Sequence, residues 1–350
     1  MKKILLTLFA VSAAFILSAQ RENPAKYWKT ADLEKAPSYK PLSRKIKGYE
    51  NMTAISFEGY AFDGKKGQVK ALISLPSTPA PEKGFPAVML LTAGEKYAKI
   101  WNSYGYAVMI VPAGKIQKFP GAVKCVSNYI LAHSVLRSYP GINKEKTGFI
   151  ALANFYGNLL AGADPRYKFG LNIYYGACNL KSGSIFNGRF LHASKVPMFW
   201  VVKANDPANC ALPGLQTAFS ECASLQNKSI VVNLPVDTIG FSFGVTKRIA
   251  DMMLKGEKAL PKLDKALLNG NILSTKVLNS GKGIKKAVLC ITKDKGLKKW
   301  ETLPAKVEKD MISAVLPEGT LFAYFSAYDD LTPGRNYFCG SSDVWQKGAK

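Results

Sequence analysis

Residues 240–244 read Gly-Phe-Ser-Phe-Gly. This is the Gly-x-Ser-x-Gly spacing of a nucleophile elbow, a sharp strand-to-helix turn that exposes a serine hydroxyl. Such a serine attacks only when a histidine takes its proton and a carboxylate orients that histidine. In sheets that carry this elbow, the chain order is serine, acid, histidine. The chain has two histidines, His133 and His192, and both precede Ser242. Ser242 also stands several residues beyond the apolar run that ends at Pro235, not on its exit. It therefore reads as a loop serine near a helix start, with capping as its role. His133 shares a helical face with Val126 and Ile130 and reads as a hydrogen-bonded core histidine. His192 lies just before a strand, at the wrong end of the sheet for catalysis. Glu95, Asp206 and Asp237 are the carboxylates that could gather at one rim. A carboxylate pair hydrolyses a glycoside only at a set separation, which makes this trio a weaker candidate.

The elements that would position these groups follow from the apolar runs. After QVKALISLP, the stretches PAVMLLT (86–92), YAVMIVP (106–112) and TGFIALA (147–153) are short, apolar and bounded by Gly and Pro. Such runs are strands buried on both faces. FGLNIYYG (169–176), VPMFWVV (196–202) and SIVVNLP (229–235) continue the series. Helical spacing separates several of them, over 120–138, up to Ala163, over Leu212–Leu225 and over Val245–Lys255. Alternating strands and helices predict a mostly parallel sheet covered on both faces, with its site at the carboxyl ends of the strands. After about Leu263 the texture changes to ILSTKVLN, KKAVLCITK, MISAVLP and TLFAYFSAY with turns between. That pattern predicts a small sandwich-like all-β module.

The stretch AHSVLRSYPGINKEKTGFIALANFYGNLLAGADPRYKFGLNIYYGACNL resembles secreted α/β-hydrolases of the acetylxylan-esterase and dienelactone-hydrolase-like group. Ala132–Ser138, Asp164-Pro165-Arg166 and Tyr175–Cys178 match that group's landmarks. KVPMFWVVKANDPANCALPGLQTAF resembles its acid-bearing strand, and NLPVDTIGFSFGVTKRIADMMLKGEKALPKL its histidine loop. The resemblance runs from about residue 60 to the end and implies an α/β-hydrolase fold with a C-terminal β module. Carried over residue by residue, the nucleophile position is Ala153, and its flanking glycines fall on Ala151, Phe155 and Tyr156. The histidine position is Val236, the oxyanion phrase becomes Thr92-Ala93-Gly94, and the acid is kept as Asp206. Alanine cannot form an acyl intermediate. The resemblance thus implies a degenerate site with no intact catalytic set, and a binding role in which Glu95, Asn154, Tyr156, Asp206 and Asp237 are the residues at hand. The alternative is an active ester hydrolase with a rewired site. The aromatic residues Tyr97, Trp101, Phe155, Tyr156, Tyr174 and Tyr175 crowd the same region, and packing is the expected role for most of them.

The N-terminal MKKILLTLFAVSAAFILSAQ has two lysines, an apolar run shorter than a membrane span and small residues before position 20. It reads as a signal peptide over 1–19 and predicts export. A polar leader follows over 20–55, then the α/β-hydrolase-like domain over 56–262 and the β module over 263–350. Export permits disulfides, and the six cysteines (Cys125, Cys178, Cys210, Cys222, Cys290, Cys339) allow 15 pairings. They contain no CxxC pair, and neither a metal nor another cofactor is expected. The formal net charge is +24, or +22 without Lys2 and Lys3 (46 − 24). Such a field attracts anions, with carbohydrate or another anionic polymer as the candidate partner class, while lysines spread along the chain read first as a solubility feature of a basic proteome. The lysines are spread along the chain, the densest patch being 293–299, and no nucleic-acid motif or later membrane span accompanies them.

Overall fold

A computed structural model describes residues 23–28, 34–43, 46, 49, 51–60, 65–91, 93–112, 121–152, 156–174, 190–205, 212–234, 238–242, 244–331 and 339–348. Residues 1–19, read from the sequence as a signal peptide, lie outside the described residues. A nine-stranded sheet is built from β1 (Tyr39–Pro41), β2 (Met52–Tyr60), β3 (Lys66–Ser74), β4 (Phe85–Leu91), β5 (Ala107–Val111), β6 (Ile142–Leu152), β7 (Phe169–Ile173), β8 (Met198–Lys203) and β9 (Leu225–Val231). Its order is β1-β2-β3-β5-β4-β6-β7-β8-β9. The β1–β2, β2–β3 and β3–β5 pairs are antiparallel, and every pair from β5–β4 through β8–β9 is parallel.

Every residue of β5 and β7 is buried, as expected for strands with both faces covered. Alternate residues of these strands feed two cores. Ala87, Met89 and Leu91 pack with α2 (Gly121–Ser138), α3 (Tyr156–Ala163) and α4 (Leu212–Glu221) on one face. Val88 and Leu90 pack with α1 (Lys96–Ser103) and α5 (Gly244–Ala250) on the other. This two-fold alternation is the pleat itself and explains why helices are needed on both sides.

The first two strands were not legible in the sequence, and residues 20–55 are more than a loose leader. Trp28 is buried, its Nε1–H donating to Ser127 Oγ at 3.0 Å and its ring packed edge-on to Phe190. β1 and the start of β2 also fall in that stretch and extend the sheet. Gly59, the next-to-last residue of β2, sits where a side chain would clash: a Cβ would stand 2.5 Å from Val69 Cγ2 and 2.6 Å from Asn128 Oδ1. The Asn128 amide takes the place of a neighbouring strand, bonding both the N–H and the C=O of Tyr60 at 2.8 Å.

The C-terminal module has two five-stranded sheets. One contains β10 (Lys262–Leu263), β11 (Leu267–Asn269), β12 (Ile272–Asn279), β15 (Lys306–Glu308) and β16 (Met311–Val315). The other contains β13 (Lys286–Thr292), β14 (Glu301–Pro304), β17 (Phe322–Tyr328), β18 (Cys339–Ser341) and β19 (Trp345–Gln346). Leu273 and Ile312 of the first sheet share a core with Leu289, Ile291 and Phe325 of the second, which makes the module a sandwich. Val288, Cys290 and Tyr324, on the opposite pleat of the second sheet, join the main core. The module also covers the edge of β9. Ser341 Oγ accepts the Ile230 N–H at 2.9 Å, Ser229 Oγ donates to the Cys339 carbonyl at 2.8 Å, and Lys228 pairs with Asp343. A buried bidentate pair between Arg248 of α5 and Asp329, just past β17, adds a second tie. Covering a sheet edge in this way removes a template for unwanted strand pairing.

Four cysteines, Cys125, Cys222, Cys290 and Cys339, are buried free thiols; Cys178 and Cys210 lie outside the described residues. Burial pushes the Cys290 thiol up to about 12, leaving it a small apolar core group rather than a reactive one. Among the described residues, no helix is long and apolar enough to cross a membrane.

Candidate functional site

The carboxyl ends of β6, β7, β8 and β9 lie side by side, with Leu152 in register with Ile173, Ile173 with Val201, and Lys203 with Val231. β6 runs out at Leu152 and α3 begins at Tyr156, so the segment that contains Ala153 and Asn154 joins a central strand to a helix. β8 and β9 lead to Asp206 and Val236 respectively. Ala153, Asn154, Phe155, Asp206, Val236, Asp237 and Thr92 themselves lie outside the described residues.

What borders them is tightly built. At the β8 and β9 exits, Asn205 and Asn233 clasp each other. Asn205 Nδ2–H donates to Asn233 Oδ1 at 2.8 Å, and the Asn233 N–H donates to Asn205 Oδ1 at 2.9 Å. Asn233 sits in the left-handed region at φ 56°, where asparagine is tolerated better than most residues. This clasp holds the exits leading to Asp206 and Val236 together. Sequence reasoning missed it, and its only signal was an asparagine just past each of two apolar runs. At the start of α3, a Cβ on Gly157 would meet Asn172 Oδ1 at 2.2 Å and Ala151 Cβ at 2.7 Å. The helix is thus pressed against β6 and β7, and Asn172 Nδ2–H donates to Asn158 Oδ1 beneath it. Tyr156 is buried in the main core, its ring 5.8 Å from Tyr129 and its hydroxyl bonded to the Cys125 thiol. Glu95 precedes α1, half-buried, and makes no capping bond to the helix.

The GFSFG stretch has a packing role. Residues Thr238–Ser242 form a short 3-10 turn laid over the strand exits. A Cβ on Gly240 would stand 2.7 Å from Leu152 Cδ1 and 3.0 Å from Ile173 Cγ2, so glycine lets the turn lie close without displacing these side chains. Phe241 is buried, with its ring 5.1 Å from Tyr97 and its carbonyl accepting from Trp101 Nε1–H at 3.0 Å and Thr246 Oγ1–H at 3.3 Å. Ser242 therefore ends a turn pinned from both sides and lies on no strand exit. The aromatics of this region that are described, Tyr97, Trp101, Tyr156 and Tyr174, are all at most 3% exposed.

His133 is not part of this site. It is fully buried between α2 and β6, where its Nδ1 bonds Asp164 Oδ2 at 2.8 Å and its Nε2 bonds Thr147 Oγ1 at 2.9 Å. Its ring stacks on Tyr167 at 3.6 Å. Asp164 also accepts from Arg166 Nε–H at 2.8 Å, and Arg166 reaches back to Ser134 Oγ and the Ile130 carbonyl. The phrases Ala132–Ser138 and Asp164-Pro165-Arg166 thus meet as one buried ionic network. Burial pushes His133 down to about 4, against the pull of ionised Asp164. Asp164 is held below the usual carboxylate range by His133 and Arg166, which outweigh its own burial. An unfolded histidine takes its proton near pH 6.5, whereas the native one stays neutral well below that. The unfolded state therefore binds more protons as pH falls from about 6.5 towards 4, and stability is lost across that window by up to about 3 kcal/mol. Depressed Asp164 extends the loss to lower pH. Urea midpoints taken from pH 7.5 to 4.5 on the parent and on His133→Gln check this. The variant is expected to show the shallower pH slope, and parallel slopes would contradict the assignment.

His192 lies in a short 3-10 turn before β8, at the amino end of the sheet and away from the strand exits. Among the described residues no three His, Cys, Asp or Glu side chains gather closely enough to hold a metal.

No family model matches the chain, and no curated protein matches it. Solved structures do. An acetyl xylan esterase from Paenibacillus sp. R4 superposes with a TM-score of 0.52 at 13% identity, over 67% of this chain and 96% of that one. Acetyl xylan esterase 1 from Thermoanaerobacterium sp. JW/SL YS485 gives 0.46 at 12% identity, over 67% and 94%. A cold-adapted esterase from an Arctic intertidal metagenomic library gives 0.46 at 19% identity, over 62% and 99%. At such identities the likeness is one of fold, and with the strand order above it makes this chain an α/β-hydrolase-fold protein that carries an additional C-terminal β module.

Proposed function

We propose that the protein is an exported pseudo-esterase: an α/β-hydrolase-like domain over 56–262 that no longer performs acyl transfer and serves as a binding or accessory protein for carbohydrate or another anionic polymer. The observation that carries this reading is the residue pair Ala153 and Val236, which stand where the resemblance requires a nucleophile and a general base. Neither side chain can take or give a proton, and alanine has no atom to form an acyl-enzyme. The remaining serine of suggestive spacing, Ser242, belongs to a packed turn whose neighbours Gly240 and Phe241 are committed to the core. The signal-peptide pattern of residues 1–19 supports export, and the net charge of +24 supports an anionic partner.

The second reading, an active ester hydrolase with a rewired site, draws on the esterase neighbours and on the retained acid Asp206, with Glu95 and Asp237 as further carboxylates. A turnover assay separates the two. The purified protein is expected to hydrolyse neither p-nitrophenyl acetate nor acetylated xylan above the buffer rate. Turnover that co-purifies with the protein and disappears in Ser242→Ala or Asp206→Asn would establish the second reading instead.

A further inference from the structure

A groove of about 550 Å³ opens on the side of the sheet opposite the strand exits. Its floor is Ser74, at the end of β3 and in register with Val108 near the start of β5, together with Asn102 of α1. These two are fully occupied with each other and with the backbone. Ser74 Oγ–H donates to Asn102 Oδ1 at 2.5 Å, and Asn102 Nδ2–H donates to the Tyr106 carbonyl at 2.9 Å and the Ser74 carbonyl at 3.3 Å. The floor is therefore rigid and offers a ligand little.

The walls differ. Ser77 and Thr78 are exposed hydroxyls, Asn51 is an exposed amide, and Lys99 is an exposed ammonium 4.7 Å from the centre of the Tyr49 ring. Among the described residues no carboxylate lines the groove and Lys99 has no ion-pair partner. At the Gly105 end, Lys255 Nζ lies 4.0 Å from where a Gly105 Cβ would stand and donates to the Tyr104 carbonyl. Lys255 shares the single buried carboxylate of Asp251 with Lys247 and with the Tyr106 hydroxyl. Two lysines share that carboxylate, Glu257 also acts on Tyr106, and Lys99 stands on the groove wall as its exposed cation. The volume falls within the range of small-molecule sites.

We propose that this groove binds an acidic sugar unit, with its carboxylate on Lys99 and its ring hydroxyls on Ser77, Thr78 and Asn51. A lone inorganic anion would leave the hydroxyl and amide wall unused, and a neutral sugar would leave the ammonium unused. The site stands on the groove's own residues; the choice of a sugar over another carboxylate rests on the carbohydrate reading above.

The test is calorimetric titration of the purified protein with digalacturonate, with neutral xylobiose and inorganic phosphate as comparisons. The parent is expected to bind digalacturonate saturably and at least tenfold more tightly than either comparison. Lys99→Gln is expected to weaken that binding tenfold or more, and Ser77→Trp, an exposed loop change that fills the groove, to abolish it. If the parent binds digalacturonate but both variants bind it equally well, the groove assignment is overturned while the broader carbohydrate reading survives. If phosphate or xylobiose binds as tightly as digalacturonate, the acidic-sugar assignment is overturned. If the parent binds no sugar, both the groove and the carbohydrate reading fall.

Discussion

Asp164→Ala is expected to cost about 3–5 kcal/mol of folding stability, the range seen when one partner of a buried ion pair is removed. Asp164 is fully buried and takes the His133 ring N–H, two Arg166 guanidinium N–H groups and the Arg166 backbone N–H. Without it, Arg166 loses its buried, bidentate carboxylate partner, while Ser134 Oγ and the Ile130 carbonyl still accept from it and Glu34 still acts on it. His133 loses the group that fixes its ring against Tyr167. Asp164→Asn keeps the volume but not the charge, and is expected to fall between the parent and alanine. Glu308→Ala provides the contrast. Its pair with Lys306 is exposed on both sides, and such pairs contribute at most about 1 kcal/mol. Denaturant midpoints of the three variants decide the matter. An Asp164→Ala midpoint indistinguishable from that of Glu308→Ala would mean that the network is not what holds α2 to β6.

The same network shows what could and could not be read from the chain. The fully buried strands were legible because apolar runs such as PAVMLLT and YAVMIVP leave a strand little choice but to be covered on both faces. The β module was legible from its turn spacing and alternation. The order in which β5 slips between β3 and β4 was not, because pairing partners there are distant in sequence. β2 was missed because Glu58 and Gly59 break its apolar pattern, and the reason for Gly59, the intruding Asn128 amide, lies 69 residues further along. His133 was correctly read as a core residue from its helical face, yet its partners Thr147, Asp164 and Arg166 are visible only once α2, β6 and the loop after α3 are brought together. The GFSFG spacing is the opposite case. Its motif was plain, but the packing of Gly240 on Leu152 and Ile173 could not be read from it. The positions Ala153, Asp206 and Val236 came from resemblance alone; periodicity marks the strands that lead to them but not the residues at their tips.

Placing a serine and a histidine at the positions the resemblance assigns to nucleophile and base, Ala153→Ser and Val236→His, is expected to leave the protein within about a hundredfold of the uncatalysed rate on an activated acetate ester. Working enzymes exceed the uncatalysed reaction by about 10⁶-fold or more, so the predicted shortfall is at least about four orders of magnitude. The reason is that a nucleophile and a base are only part of an acyl-transfer site. The developing oxyanion must meet backbone donors already in place, and losing a single such donor costs about 3–4 kcal/mol. One donor would come from the loop Thr92-Ala93-Gly94, where the matching phrase is absent, and the other from the N–H that follows the nucleophile. That second donor belongs to the segment between Leu152 and Tyr156, and the Tyr156 ring is buried against Tyr129 and Cys125 and so anchors the helix start in the core. On the resemblance, Phe155 and Tyr156 stand where smaller residues would permit the tight turn, and bulky residues oppose the strained backbone an elbow needs. The Gly240 turn already lies against Leu152, the last strand residue before the restored serine. The double variant should fold, because Asn205 and Asn233 still clasp the two exits that lead to the acid and the new histidine. kcat/KM on p-nitrophenyl acetate, with circular dichroism to confirm folding, checks the expectation. A rate typical of working esterases would show that the oxyanion donors are present after all and that only two side chains separate this chain from activity.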